Sequence, residues 1–115
     1  AIGTTIIGDV KGKNAIIFDD EIDTAGSMME TVRVVKEFGA ESVYAACTHG
    51  VLSGPAIERI KNSPLKELVI TNTIPLPDEK KLDKIKVVSI APLFAETIRR
   101  LNEKKPLGEL LKNFV

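Results

Sequence analysis

The sequence holds too little cysteine and histidine to rest its chemistry on disulfides or on a histidine metal centre. Its single cysteine, Cys47, excludes an internal disulfide and fits a reducing, cytoplasmic setting. Cys47 falls inside an apolar run, where a small buried side chain is expected. The single histidine, His49, has no cysteine or second histidine at ligand spacing, so a hydrogen-bonding role is expected of it. Neither sign of charge is in excess: 16 basic and 16 acidic residues leave no basic face that would argue for nucleic acid. No apolar stretch approaches the roughly 18 residues that a membrane helix requires. The first residues, Ala1 to Thr5, lack the charged segment and apolar core of a signal peptide. There is no initiating Met, as expected of a processed piece or a fragment. At 115 residues the chain is expected to form one domain with a core of its own.

What is present centres on the stretch from Ile16 to Ser27. It opens as an apolar β run, becomes acidic at Asp19, Asp20, Glu21 and Asp23, and ends in the small, hydroxyl-bearing loop Thr24-Ala25-Gly26-Ser27. A helical pattern then begins at Met28. A strand that turns into a helix in this way aims backbone N–H groups at a helix N-terminus, where an anion is favoured. Carboxylates just before the turn are suited to sugar hydroxyls or to a divalent cation. Four acids this close repel one another, and a ligand or cation is the usual neutraliser. The expected division of labour puts Asp19 and Asp20 on a sugar and the amides of Thr24 to Ser27 on a phosphate. Asp23 is expected to turn back onto loop amides, and Glu21 to be solvated. Gly26 is where a side chain would meet an approaching ligand.

The remaining pattern alternates strands and helices. Residues 4–7 read as a short strand, 9–13 as a polar turn, and Ala15 to Phe18 as a strand buried on both faces. Met28, Val32, Val35 and Phe38 share one face of a helix that Gly39 stops. Strands are expected over 42–48, 67–71 and 87–90. Pro55 opens a helix carrying Ala56, Ile57 and Ile60, with Ser53 as its cap. Pro92 opens a last helix whose Phe94, Ile98 and Leu101 share a face, and a short helical turn follows Pro106. The expected class is therefore α/β, a largely parallel sheet with flanking helices and a ligand beyond the carboxyl ends of the strands.

The acidic loop resembles the signature of the phosphoribosyl-diphosphate (PRPP) binding proteins, whose fold is of the type I phosphoribosyltransferase kind. Further runs narrow the likeness: Gly8 to Lys13, Val43 to Gly50, Leu52 to Ala56, Val69 to Pro77 and Ser89 to Glu96. Together they look like ribose-phosphate pyrophosphokinase, over nearly the whole chain. The resemblance implies transfer of the β,γ-diphosphoryl group of ATP to the 1-hydroxyl of ribose 5-phosphate, giving PRPP and AMP. It implies Mg²⁺, homo-oligomeric assembly, and contacts of Asp19 and Asp20 with the ribose hydroxyls, directly or through the metal. Substrate contacts are then expected from Asp19, Asp20, Asp23, Thr24, Ala25, Gly26 and Ser27. By the same likeness the chain is a carboxyl-terminal portion, with the catalytic and ATP-binding amino-terminal half missing. The rival expectation is a non-catalytic phosphoribosyl-binding regulatory homologue; a phosphoribosyltransferase fits less well after Thr48.

Overall fold

The structure, a computed structural model, describes residues 5–112. The elements run β1 (Asn14–Ile22), α1 (Gly26–Glu37), β2 (Ser42–Gly50), α2 (Ala56–Lys61), β3 (Glu67–Thr71), a 3-10 turn (Asp78–Lys80), β4 (Ile85–Val88), α3 (Ala91–Asn102) and α4 (Gly108–Lys112). All four strands are parallel and lie in the order in which they are made, β1-β2-β3-β4. The α/β class and the parallel sheet are as expected from the sequence.

Because each crossover steps in the same direction and such crossovers are right-handed, α1 and α2 fall on one face of the sheet. Met28, Val32 and Val35 of α1 and Ala56 and Ile60 of α2 pack on Val43, Ala45, Cys47, Leu68 and Ile70 to form the core. The opposite face is open at β1 among the described residues. Ile16 pairs with Tyr44 and Phe18 with Ala46, yet Phe18 is 78% exposed and Ile16 59%. The expectation that Ala15 to Phe18 is buried on both faces is therefore corrected. β1 is an edge strand covered on one side only.

Other departures have local causes. Residues 5–7 form no strand, and the rest of that expected strand lies outside the described residues. The fourth strand begins two residues early, at Ile85, and ends at Val88. It ends there because the Ile90 N–H is taken by the Asn72 side chain at 2.9 Å. Phe38 is exposed and Val34 buried, since α1 gives way at Phe38 to the Gly39 turn, where φ is 99°. The apolar stripe of α3 exists, but Phe94, Ile98 and Leu101 are all exposed. With α3 standing clear of the sheet, the radius of gyration is 16.8 Å, against roughly 13 Å for a compact chain of this length.

Candidate functional site

β1 runs straight through the acidic residues to Ile22, so Asp19 and Asp20 lie within the strand and not beyond its end. Adjacent strand residues normally face opposite ways. Here both side chains fold down along the backbone: Asp19 Oδ1 accepts the Asp20 N–H and Asp20 Oδ1 accepts the Glu21 N–H, each at 2.8 Å. The Asp20 carboxyl is held below the usual carboxylate range, first by a hydrogen bond shared with the Asp19 side chain and then by backbone N–H groups. His49, level with Glu21 on the neighbouring strand, adds a smaller electrostatic pull. His49 itself is tied by Nδ1 to Thr73 Oγ1 at 2.9 Å, the hydrogen-bonding role expected of it.

After Ile22 the chain enters the loop. Ala25, buried and at φ 66°, takes the left-handed conformation and caps α1 without a side-chain hydrogen bond. A non-glycine residue there costs on the order of 1 kcal/mol, so the surroundings must hold it. They do so through three successive carbonyls. Ile22 O accepts from the N–H groups of Val51 and Leu52, and Asp23 O from that of Ser53, each at 3.0 Å. Thr24 O accepts from Arg59 Nη1, also at 3.0 Å.

With its carbonyls drawn back to the β2–α2 connection, the loop turns its donors elsewhere. The N–H groups of Thr24, Ala25, Gly26, Ser27 and Met28 meet no acceptor among the described residues. They border a cleft of about 280 Å³ lined by the unbroken run from Asp19 to Met28. One wall is acidic and the other is a row of free donors. Such a cleft can take a ligand with hydroxyls at one end and an anion at the other.

All seven residues expected to contact a substrate line this one cleft. Asp23 departs from expectation: its carboxylate accepts from Ser53 Oγ and not from loop amides. Ser53 in turn is not the side-chain cap of α2, a place taken by Pro55. The Ser53 carbonyl serves the Ala56 N–H at 3.2 Å, which leaves the hydroxyl for Asp23. Arg59 was not singled out by the sequence, where it reads as one charge on the solvent side of a short helix. Glu21 is solvent-exposed, as expected.

Among the described residues, no three His, Cys, Asp or Glu side chains group as a metal site. Two carboxylates still fit a hard cation such as Mg²⁺, which takes one or two of them and fills its shell with water and substrate oxygens. Asp19 and Asp20 are exposed and interact, as that use requires. No helix of the described residues is long and apolar enough to cross a membrane.

Fold and loop thus define an α/β domain with a strand–loop–helix junction of the kind at which anions are held. A family model described as phosphoribosyl synthetase-associated domain matches residues 3–112, and the chain belongs to that family. It is 59% identical to the ribose-phosphate pyrophosphokinase of Clostridium acetobutylicum over 108 residues, which is 94% of this chain and 34% of that protein. The ribose-phosphate pyrophosphokinase of Caldanaerobacter subterraneus is 62% identical over 105 residues, 91% of this chain and 33% of its own length. The crystal structure of phosphoribosylpyrophosphate synthetase from Mycobacterium smegmatis superposes with a TM-score of 0.83 at 46% identity, covering 85% of this chain and 33% of that one. The chain spans about a third of the length of the relatives it matches. The expected carboxyl-terminal placement is not supported by these matches, which give a share of length and no more. A share of about a third is consistent with the expectation that a large part of the family-length protein lies outside this chain.

Proposed function

We propose that this chain is the ribose 5-phosphate and PRPP-binding part of a ribose-phosphate pyrophosphokinase. The observation that carries the reading is the two-sided cleft: five N–H groups from Thr24 to Met28, unpaired among the described residues, and the interacting carboxylates of Asp19 and Asp20. The amides of Thr24 to Ser27 hold the 5-phosphate, with the Ser27 hydroxyl beside them. Asp19 and Asp20 orient the ribose by its 2- and 3-hydroxyls. Held at both ends, the sugar has its 1-hydroxyl fixed in direction, and diphosphoryl transfer depends on that positioning more than on covalent help from the protein. Asp19 and Asp20 would hold Mg²⁺, which would supply neutralising charge for the diphosphate. ATP is bound by the part of a family-length enzyme that this chain does not span. On this reading the 115-residue chain binds the sugar phosphate but does not turn it over.

Titration calorimetry of the chain with ribose 5-phosphate, with and without Mg²⁺, tests this, together with amide resonances read by NMR. Saturable binding is expected, with the largest shifts at Thr24 to Met28. Shifts that map to another face of the sheet would overturn the assignment, as would no binding of either ribose 5-phosphate or PRPP.

A further inference from the structure

Gly26 is not glycine for the sake of its backbone. The left-handed position in this loop is Ala25, and the φ of Gly26 lies outside the range that disfavours side chains. What glycine provides is room. A Cβ placed on Gly26 would sit 3.2 Å from Arg59 Nη1 and 3.9 Å from Arg59 Cζ, its two nearest tertiary neighbours together with Thr24 Oγ1 at 3.9 Å. That same Nη1 donates to the Thr24 carbonyl at 3.0 Å. Arg59 is absent from the lining of the cleft and borders instead the surface between α1 and α2, behind the loop.

We propose that Arg59 is a positioning residue for the anion-binding loop, and that position 26 is glycine to admit the Arg59 guanidinium rather than the ligand. The inference rests on the reading of the loop as a phosphate site. The physical effect has two parts. A charged donor on the Thr24 carbonyl polarises the Thr24–Ala25 peptide unit, which makes the Ala25 N–H a stronger donor on the cleft side. The same bond fixes the orientation of that peptide next to the left-handed Ala25. Arg59 also brings positive charge behind a loop whose front wall carries Asp19 and Asp20. It acts on the bound anion through the loop, without touching it.

The test is a double-mutant cycle on the affinity of inorganic phosphate, measured by calorimetry on the whole chain, with folding checked by circular dichroism. Arg59→Met should weaken phosphate about five- to tenfold, and Arg59→Lys, which keeps a charged donor, should recover most of the loss. Gly26→Ala should weaken it by a similar factor, because the methyl displaces the guanidinium. The double variant should be no weaker than Arg59→Met alone, since neighbouring changes that remove one interaction do not add. In the ligand-free chain the Ala25 amide proton resonance should move upfield in Arg59→Met and stay in Arg59→Lys. A residue that merely supported α2 would not move it in this pattern. Additive losses would show that the ligand itself needs the space at Gly26, and the proposal would fail while the phosphate site stood. Parent-like binding by Arg59→Met would overturn the proposal directly, because the loop would then hold phosphate without Arg59. If the parent chain binds no phosphate, the phosphate site itself is wrong and the role of Arg59 falls with it.

Discussion

Ser53 and Asp23, 30 positions apart in sequence, are joined twice: the Ser53 hydroxyl donates to Asp23 Oδ1, and the Ser53 N–H donates to the Asp23 carbonyl. The pair fastens the acidic loop to the start of the second helix. It also directs one carboxylate oxygen of Asp23 onto a hydroxyl donor, while Asp23 remains part of the cleft lining.

Ser53→Ala should therefore lower stability by about 1 kcal/mol and weaken phosphate binding, although position 53 lies outside the cleft lining. Asp23→Asn should do less, because an amide oxygen still accepts from the hydroxyl. Urea denaturation and phosphate titration on both variants measure the two effects. Unchanged phosphate affinity in Ser53→Ala would mean that the loop keeps its shape without this fastening.

Asp19→Asn combined with Asp20→Asn should separate the two ends of the cleft. The amides of Thr24 to Met28 remain, so inorganic phosphate should bind as well as before or better, with less repulsion. Ribose 5-phosphate should lose its Mg²⁺-dependent increment. Calorimetry with and without Mg²⁺ reads both. A parallel loss of phosphate and sugar phosphate would count against the division of the cleft.

Burial pushes the Cys47 thiol up to about 11 from an ordinary value of 9.0, and Asp19 and Asp20 add to the rise against an opposing hydrogen bond with the Ile22 backbone. The folded state thus favours the protonated thiol. The unfolded chain loses its proton first as pH rises, so stability is complete below 9.0 and is lost as pH climbs through about 11. The denaturation midpoint should fall between pH 8.5 and pH 10.5 by roughly the linkage of a single thiol. The fall should be smaller in Cys47→Ala. At pH 8 the thiol should react with a disulfide reagent far more slowly in the folded chain than in urea.

Core positions and the exposed stripe of α3 should answer substitution differently. Leu68 and Ile60 are fully buried, and truncating either to alanine should cost about 2–5 kcal/mol. Phe94→Ser and Ile98→Ser on α3 should stay within about 0.5 kcal/mol, because those side chains are more than half exposed. Phe18 and Ile16, exposed on one side of β1 among the described residues, are where self-association of the chain would be tested. Sedimentation of Phe18→Ser, which is expected to shift the chain toward monomer, checks it. An unchanged distribution would place the contact elsewhere.

Where sequence reading succeeded, local chemistry was decisive. Glu67 to Thr71 reads as a strand and is one, because alternate residues Leu68 and Ile70 fill the core. The loop from Asp23 to Ser27 was legible because its small residues, acids and following helix lie within one short run. What depended on distant partners was not. Nothing in Ile16 or Phe18 reveals that they are exposed among the described residues, since an open apolar face and a covered one can have the same sequence. Arg59 reads as surface charge until α2 is laid beside the loop, and Asp23 shows no preference for Ser53 until the second βα turn closes over it. Phe38 sits in register with the buried face of α1 and leaves it only because Gly39 unwinds the backbone there.

The sequential strand order has a meaning in time as well. Every tether on the loop's carbonyls comes from residues no later than Arg59. As the polypeptide leaves the ribosome, the loop and all its fastenings are made before β3 and β4. The later strands still supply Leu68, Ile70 and Ile85 to the interior. The chain therefore has every fastening of the loop synthesised before the strands that complete the core beneath it.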